Sequence, residues 1–144
     1  MDLTQRQAAD RQIIAVLVCL GVALFLHFAG MGSTILNLAQ EAMDPNGIFV
    51  LLRGGGAALT DEEMGERVGR ATAFLLCGAY SMLGMVWIPV SAYGVYTRKP
   101  WGRVSALVYF GTTIPTCSCT VMGAYGLYAL LRSDVKELFE ERRA

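Results

Sequence analysis

Three stretches of this chain contain no Asp, Glu, Lys or Arg: Ile13 to Met31, Ala71 to Tyr96 and Val104 to Leu131. A bilayer core of about 30 Å takes about 20 helical residues, so each stretch is long enough to cross one. Composition agrees, since 54% of the 144 residues are apolar and the mean hydropathy is positive. Acidic and basic side chains balance at 12 each and form no basic stripe, which argues against a nucleic-acid partner. The sequence is therefore expected to give an all-α integral membrane protein.

The first stretch is too long for the apolar region of a secretory signal. It is followed by "GSTILNLAQ" rather than a small-residue cleavage site, and so reads as a retained span. Cys19, Cys77, Cys117 and Cys119 all lie within apolar segments, which is not the pattern of an extracellular disulfide framework.

Between the first two stretches, residues 32–70 form a polar excursion holding Glu41, Asp44, Asp61, Glu62, Glu63 and Glu66 against Arg53, Arg67 and Arg70. "STILNLAQEAMDP" suits a short helix stopped at Asp44-Pro45, and Gly54 to Gly56 a flexible joint. "TDEE" matches a capping box, with Thr60 as cap and Glu63 reaching back, so a helix is expected to begin there and continue into the second span. Pro89 should bend that span.

The link "TRKPWGR" carries Arg98, Lys99 and Arg103 and no acid. The positive-inside rule places it in the cytoplasm, with Trp101, Tyr93 and Tyr96 at the interface and the acidic excursion on the opposite side. Arg98, Lys99, Trp101 and Arg103 then act as a cytoplasmic anchor, and the N-terminus is also inside.

As one helix, Val104 to Leu131 would extend about 42 Å, some 12 Å more than the core requires. Pro115 lies near its middle, and Thr112, Thr113, Thr116 and Ser118 supply hydroxyls able to satisfy freed backbone groups. Two short arms bent at Pro115 are favoured over a single kinked helix, because a hairpin returns the basic C-terminus to the cytoplasm. The expectation is a four-helix antiparallel bundle with both termini inside and spans near 13–31, 71–96, 100–114 and 116–131. Residues 133–144 follow as a cytoplasmic tail. In it Ser133 caps a short amphipathic helix whose Val135, Leu138 and Phe139 face the membrane.

"TRKPWGR", the central "IP", "GAYGLYALL" and "SDVKELF" together resemble a group of small bacterial integral membrane proteins. In that group a basic-Pro-Trp-Gly-Arg loop leads into two short helices joined near a Pro, and a Gly-x-Tyr-x-Leu segment precedes a Leu-Phe tail. The resemblance covers residues 97–140. It implies four membrane helices and, with the compact loops, the bacterial cytoplasmic membrane, and it supplies no catalytic residues.

His27 is the one histidine. Ala15, Cys19, Ala23 and His27 recur every four residues, which suits a helix-helix contact, as do Gly78, Ser81 and Gly84. Ala-x-x-x-His also resembles the pigment-binding spacing of antenna helices, so His27 is a candidate ligand for a pigment or haem, although no cofactor is expected. Cys117 and Cys119 point about 200° apart on a helix, so they could share a metal only across a turn, and packing is the favoured role. Asp61 to Glu63 with Glu66 suit a solvated helix start better than a cation site. Gly54 to Gly56 lacks the strand and helix of a phosphate loop.

With no charged group in any span, the proton relays and paired carboxylates of transporters and intramembrane enzymes are missing. The expected function is non-enzymatic: an accessory or structural subunit of a membrane assembly, or a homo-oligomer. Its partners would be the bilayer and other membrane chains or copies of itself. An oligomeric channel or transporter using the Thr112 to Thr120 bend is the alternative, and a pigment- or haem-carrying subunit through His27 is the third reading.

Overall fold

The computed structural model describes residues 3–44, 60–114 and 120–140. Among them are five helices and no strand: α1 Leu3–Met43, α2 Asp61–Tyr96, α3 Pro100–Thr113, α4 Thr120–Leu131 and α5 Ser133–Glu140. Two of them, α1 and α2, are long and apolar enough to cross a membrane.

α1 is a single helix of 41 residues, about 61 Å long, where the sequence suggested a span followed by a separate short helix. No proline interrupts the chain between Ile13 and Asp44, and Gly30 and Gly32 cost only about 1 kcal/mol each in a helix interior. The polar side chains expected to open a new helix instead bond within this one. Thr34 Oγ1 donates to the Gly30 carbonyl at 2.9 Å, and Asn37 Nδ2 donates to the Ser33 carbonyl at 2.8 Å. The helix ends where Asp44 N–H reaches the Gln40 carbonyl at 3.0 Å, immediately before Pro45. The Gly54 to Gly56 joint lies outside the described residues.

α2 starts with the capping box that its sequence predicts. Thr60 N–H donates to Glu63 Oε2 at 2.9 Å, and Glu63 N–H donates to Thr60 Oγ1 at 3.3 Å. The helix then runs 36 residues and continues through Pro89 to Tyr96.

Burial along α1 follows steps of four and three: Ala9, Ile13, Val16, Leu20, Ala23, His27 and, past half-buried Gly30, Thr34. This 3.5-residue period is that of a coiled-coil seam. The expected stripe of Ala15, Cys19, Ala23 and His27 meets this seam at an angle, because strict steps of four drift about 40° around the helix each time. Ala15 and Cys19 are accordingly half-buried, whereas Ala23 and His27 are in the seam. On α2 the buried residues Gly78, Ser81, Gly84, Ile88, Ser91 and Val95 also recur at threes and fours.

The chain divides into two compact units, residues 1–25 with 85–144, and residues 26–84. In the first, Leu20, Ile88, Val95, Phe110 and Leu130 meet in a common core. α3 and α4 lie antiparallel. The Phe110 ring packs on Gly126, Thr113 on Gly123, and Arg103 Nε donates to the Leu130 carbonyl at 2.9 Å. One continuous helix would hold Arg103 and Leu130 about 40 Å apart. Pro115, Thr116, Cys117, Ser118 and Cys119, where the bend is expected, lie outside the described residues, and α4 is described from Thr120.

α5 differs from expectation. Val135, Leu138 and Phe139 are buried, at 1, 2 and 2% exposure, and belong to the protein core instead of facing outward. Arg132, not Ser133, precedes the helix, since Lys136 N–H reaches the Arg132 carbonyl at 3.0 Å. Arg132 Nε and Nη2 also donate to the two oxygens of Asp134, at 3.0 and 2.9 Å. This bidentate pair holds the Asp134 carboxyl below its ordinary pKa and raises that of Arg132.

In the second unit, the C-terminal half of α1 and the N-terminal half of α2 pair antiparallel through small residues. Gly30 faces Ser81, Thr34 faces Gly78, and His27 lies on Gly84.

Candidate functional site

The α2–α3 corner combines several polar contacts with close backbone packing. Arg98 N–H bonds the Val95 carbonyl at 3.0 Å and Lys99 N–H bonds the Gly94 carbonyl at 2.9 Å. These paired bonds form a Schellman stop, whose left-handed position is usually glycine. Here it is Arg98, at φ 53°. Lys99 is then extended and leads into Pro100, the first residue of α3, where proline loses no helical bond.

Gly94 and Gly102 make the corner close-packed. A Cβ on Gly102 would overlap the Gly94 backbone, and one on Gly94 would lie 2.8 Å from the Trp101 ring. One turn back, fully buried Ser91 shares a 2.7 Å hydrogen bond with Ser105, which also accepts from Trp87 Nε1 at 2.9 Å. Of the anchor residues named from sequence, Arg98 pairs with Asp10 of α1 at 2.7 Å and Arg103 caps the end of α4. Lys99 lies 5.9 Å over the Tyr93 ring, and Trp101 is 43% exposed. Arg98 and Arg103 thus hold protein together, a use that charge alone did not reveal.

His27 is 8% exposed and its ring sits 5.2 Å from that of Tyr80. Its Cε1–Nε2 edge abuts Gly84, where a Cβ would come within 2.5 Å of both atoms. A macrocycle could reach Nε2 only if the two helix segments parted. The helix-contact residues Gly78, Ser81 and Gly84 are all buried on α2.

Two cavities of about 150 and 220 Å³ lie at the polar end of the second unit and share Glu41, Asp44 and Arg70. Charges there are largely paired, Arg67 with Asp44 at 3.9 Å and Arg70 with Glu66. Glu63 is engaged in its capping box, which lowers its pKa, first through the Thr60 backbone bond and then through the Thr60 hydroxyl. Among the described residues no group of three His, Cys, Asp or Glu side chains could hold a metal ion.

Of the hydroxyl residues expected to line the bend, Thr112, Thr113 and Thr120 are described. Thr112 Oγ1 donates to the Tyr109 carbonyl and Thr113 Oγ1 to the Phe110 carbonyl, both at 2.8 Å, so these hydroxyls back-bond along their own helix. The chain matches no family model, no curated protein and no solved structure.

Proposed function

We propose that this chain is a non-enzymatic integral membrane protein. It acts as an accessory or structural subunit of a membrane assembly or as a homo-oligomer, and is related to the small bacterial membrane proteins that its C-terminal third resembles. The observation that carries this reading is the apolar exposure of α1 and α2. Beside their buried seams they turn Val18, Phe25, Leu76 and Val86 outward, each at least 60% exposed. A long helix that is apolar all round is stable in lipid or in the core of a large protein. The side chains available for chemistry support the same reading, because the polar groups of the corner bond one another.

In this proposal α1 and α2 span a bacterial cytoplasmic membrane, α3 and α4 form a hairpin, both termini are cytoplasmic and residues 32–70 lie outside. At about 21 and 18 Å, α3 and α4 are short for a span, and such a pair is accommodated by local thinning of the bilayer. At about 61 and 54 Å, α1 and α2 exceed the core and project from it.

The test is carbonate washing of membranes that hold the tagged chain, then mild detergent extraction, size analysis and mass spectrometry of co-purifying chains. Retention after carbonate with defined partners, or as a discrete oligomer, is expected. Release by carbonate would overturn the membrane reading, and a monomer extracted without partners would overturn the subunit reading.

A further inference from the structure

An amphipathic C-terminal helix after the last span ordinarily makes the contact with the membrane surface. In this fold α5 spends its apolar stripe on the protein core, since Val135, Leu138 and Phe139 are buried. The α2–α3 corner has the opposite character. Tyr93, Tyr96 and Trp101 are 58, 73 and 43% exposed within nine positions of one another. Aromatic side chains with a polar tip favour the headgroup level.

The cations at the corner fall into two sets. Arg98 and Arg103 are engaged with Asp10 and the Leu130 carbonyl. Lys99 has no carboxylate partner among the described residues and lies over the Tyr93 ring. Arg11 is exposed, likewise has no carboxylate partner among them, and follows Asp10, whose bond to Arg98 fixes it at the level of the corner. The folded unit therefore presents two uncompensated cations beside three exposed aromatic rings.

We infer that the α2–α3 corner, and not α5, is the headgroup-binding element of this chain, with Lys99 and Arg11 binding the phosphates of anionic phospholipid. This rests on the membrane reading above. The aromatic rings set the depth and the two cations supply the preference for negative charge. Each cation near an anionic surface is worth roughly a fivefold change in binding, weakened by salt.

The test uses the full chain in detergent micelles, with Trp87 and Trp101 as energy donors to dansyl-labelled phosphatidylglycerol or phosphatidylcholine. Phosphatidylglycerol should bind more tightly, and Lys99→Gln and Arg11→Gln should each weaken it roughly fivefold while leaving phosphatidylcholine unchanged. Lys136→Gln, on α5, should have no effect. Equal binding of the two lipids, or a loss with Lys136→Gln matching that with Lys99→Gln, would overturn the assignment. A chain that resists carbonate but shows no lipid preference defeats this inference alone, whereas one that carbonate releases defeats the membrane reading beneath it.

Discussion

Arg98 occupies the left-handed corner after α2 while its guanidinium donates to Asp10 Oδ1 at 2.7 Å, joining residues 88 positions apart. A side chain in that conformation costs about 1–2 kcal/mol relative to glycine. A half-exposed ion pair returns about 0.5–1 kcal/mol. The residue is thus a compromise between backbone and side chain, and the two terms separate by mutation. Arg98→Ala should lose the pair and keep the strain, lowering stability by about 0.5–1 kcal/mol. Arg98→Gly should lose the pair but release the strain, and come out between wild type and about 1.5 kcal/mol more stable. Thermal unfolding in detergent reads both; equal loss in the two variants would mean that the left-handed geometry carries no cost.

Gly94 and Gly102 let the ends of α2 and α3 touch backbone to backbone. Gly102→Ala forces a methyl group into the Gly94 main chain, which has no flexible end to move, so a loss of about 2–3 kcal/mol is expected. Gly21, in α1, has nothing within 4 Å of an added Cβ. Gly21→Ala should therefore be neutral or raise stability by up to about 1 kcal/mol through helix propensity. Melting temperatures that fall equally in both variants would contradict the close approach at the corner.

Glu63 gives the start of α2 a pH dependence. Its carboxyl is held below its ordinary value by the Thr60 backbone and hydroxyl bonds. A depressed pKa contributes stability that is present above the unfolded-state value and lost as pH falls through the folded-state value. At neutral pH the cap is intact, and it weakens in the acid range below the ordinary glutamate pKa. Amide hydrogen exchange in the first turn of α2 should accelerate there beyond its intrinsic pH trend. Glu63→Gln should remove that excess, whereas Thr60→Ala, which keeps the backbone donor, should only reduce it while costing about 1 kcal/mol of helix stability. An excess that persists in Glu63→Gln would assign the effect to another carboxylate.

Signals whose physics is local were legible in the sequence. The capping box at Thr60 and the stop before Pro45 depend on bonds within a few residues, and the structure has both. The seam of α1 is only partly legible, because its small residues recur every four positions while burial follows threes and fours and includes Leu20 and Val16. The roles of Arg98 and Arg103 were not legible at all. Their partners, Asp10 and the Leu130 carbonyl, are 88 and 27 positions away, and a charge count cannot distinguish a guanidinium facing lipid phosphate from one that closes a fold. The same limit applied to α5, whose amphipathic stripe fits a membrane surface and a protein core equally well.

The proposed orientation makes a prediction that the charge pairs inside the fold leave intact. Glu62, at the start of α2, and Lys99, at its far end, are both exposed and lie 37 positions apart, about 54 Å along and just beyond a single helix. That distance exceeds the bilayer core, so the two residues must emerge on opposite sides if α2 spans it. In a background with the native cysteines replaced by alanine, Glu62→Cys should react with an impermeant maleimide applied to intact bacterial cells. Lys99→Cys should react only after the membrane is opened. The reverse labelling would place the basic corner outside and invert the proposed topology, and labelling of both from one side would show that α2 does not cross.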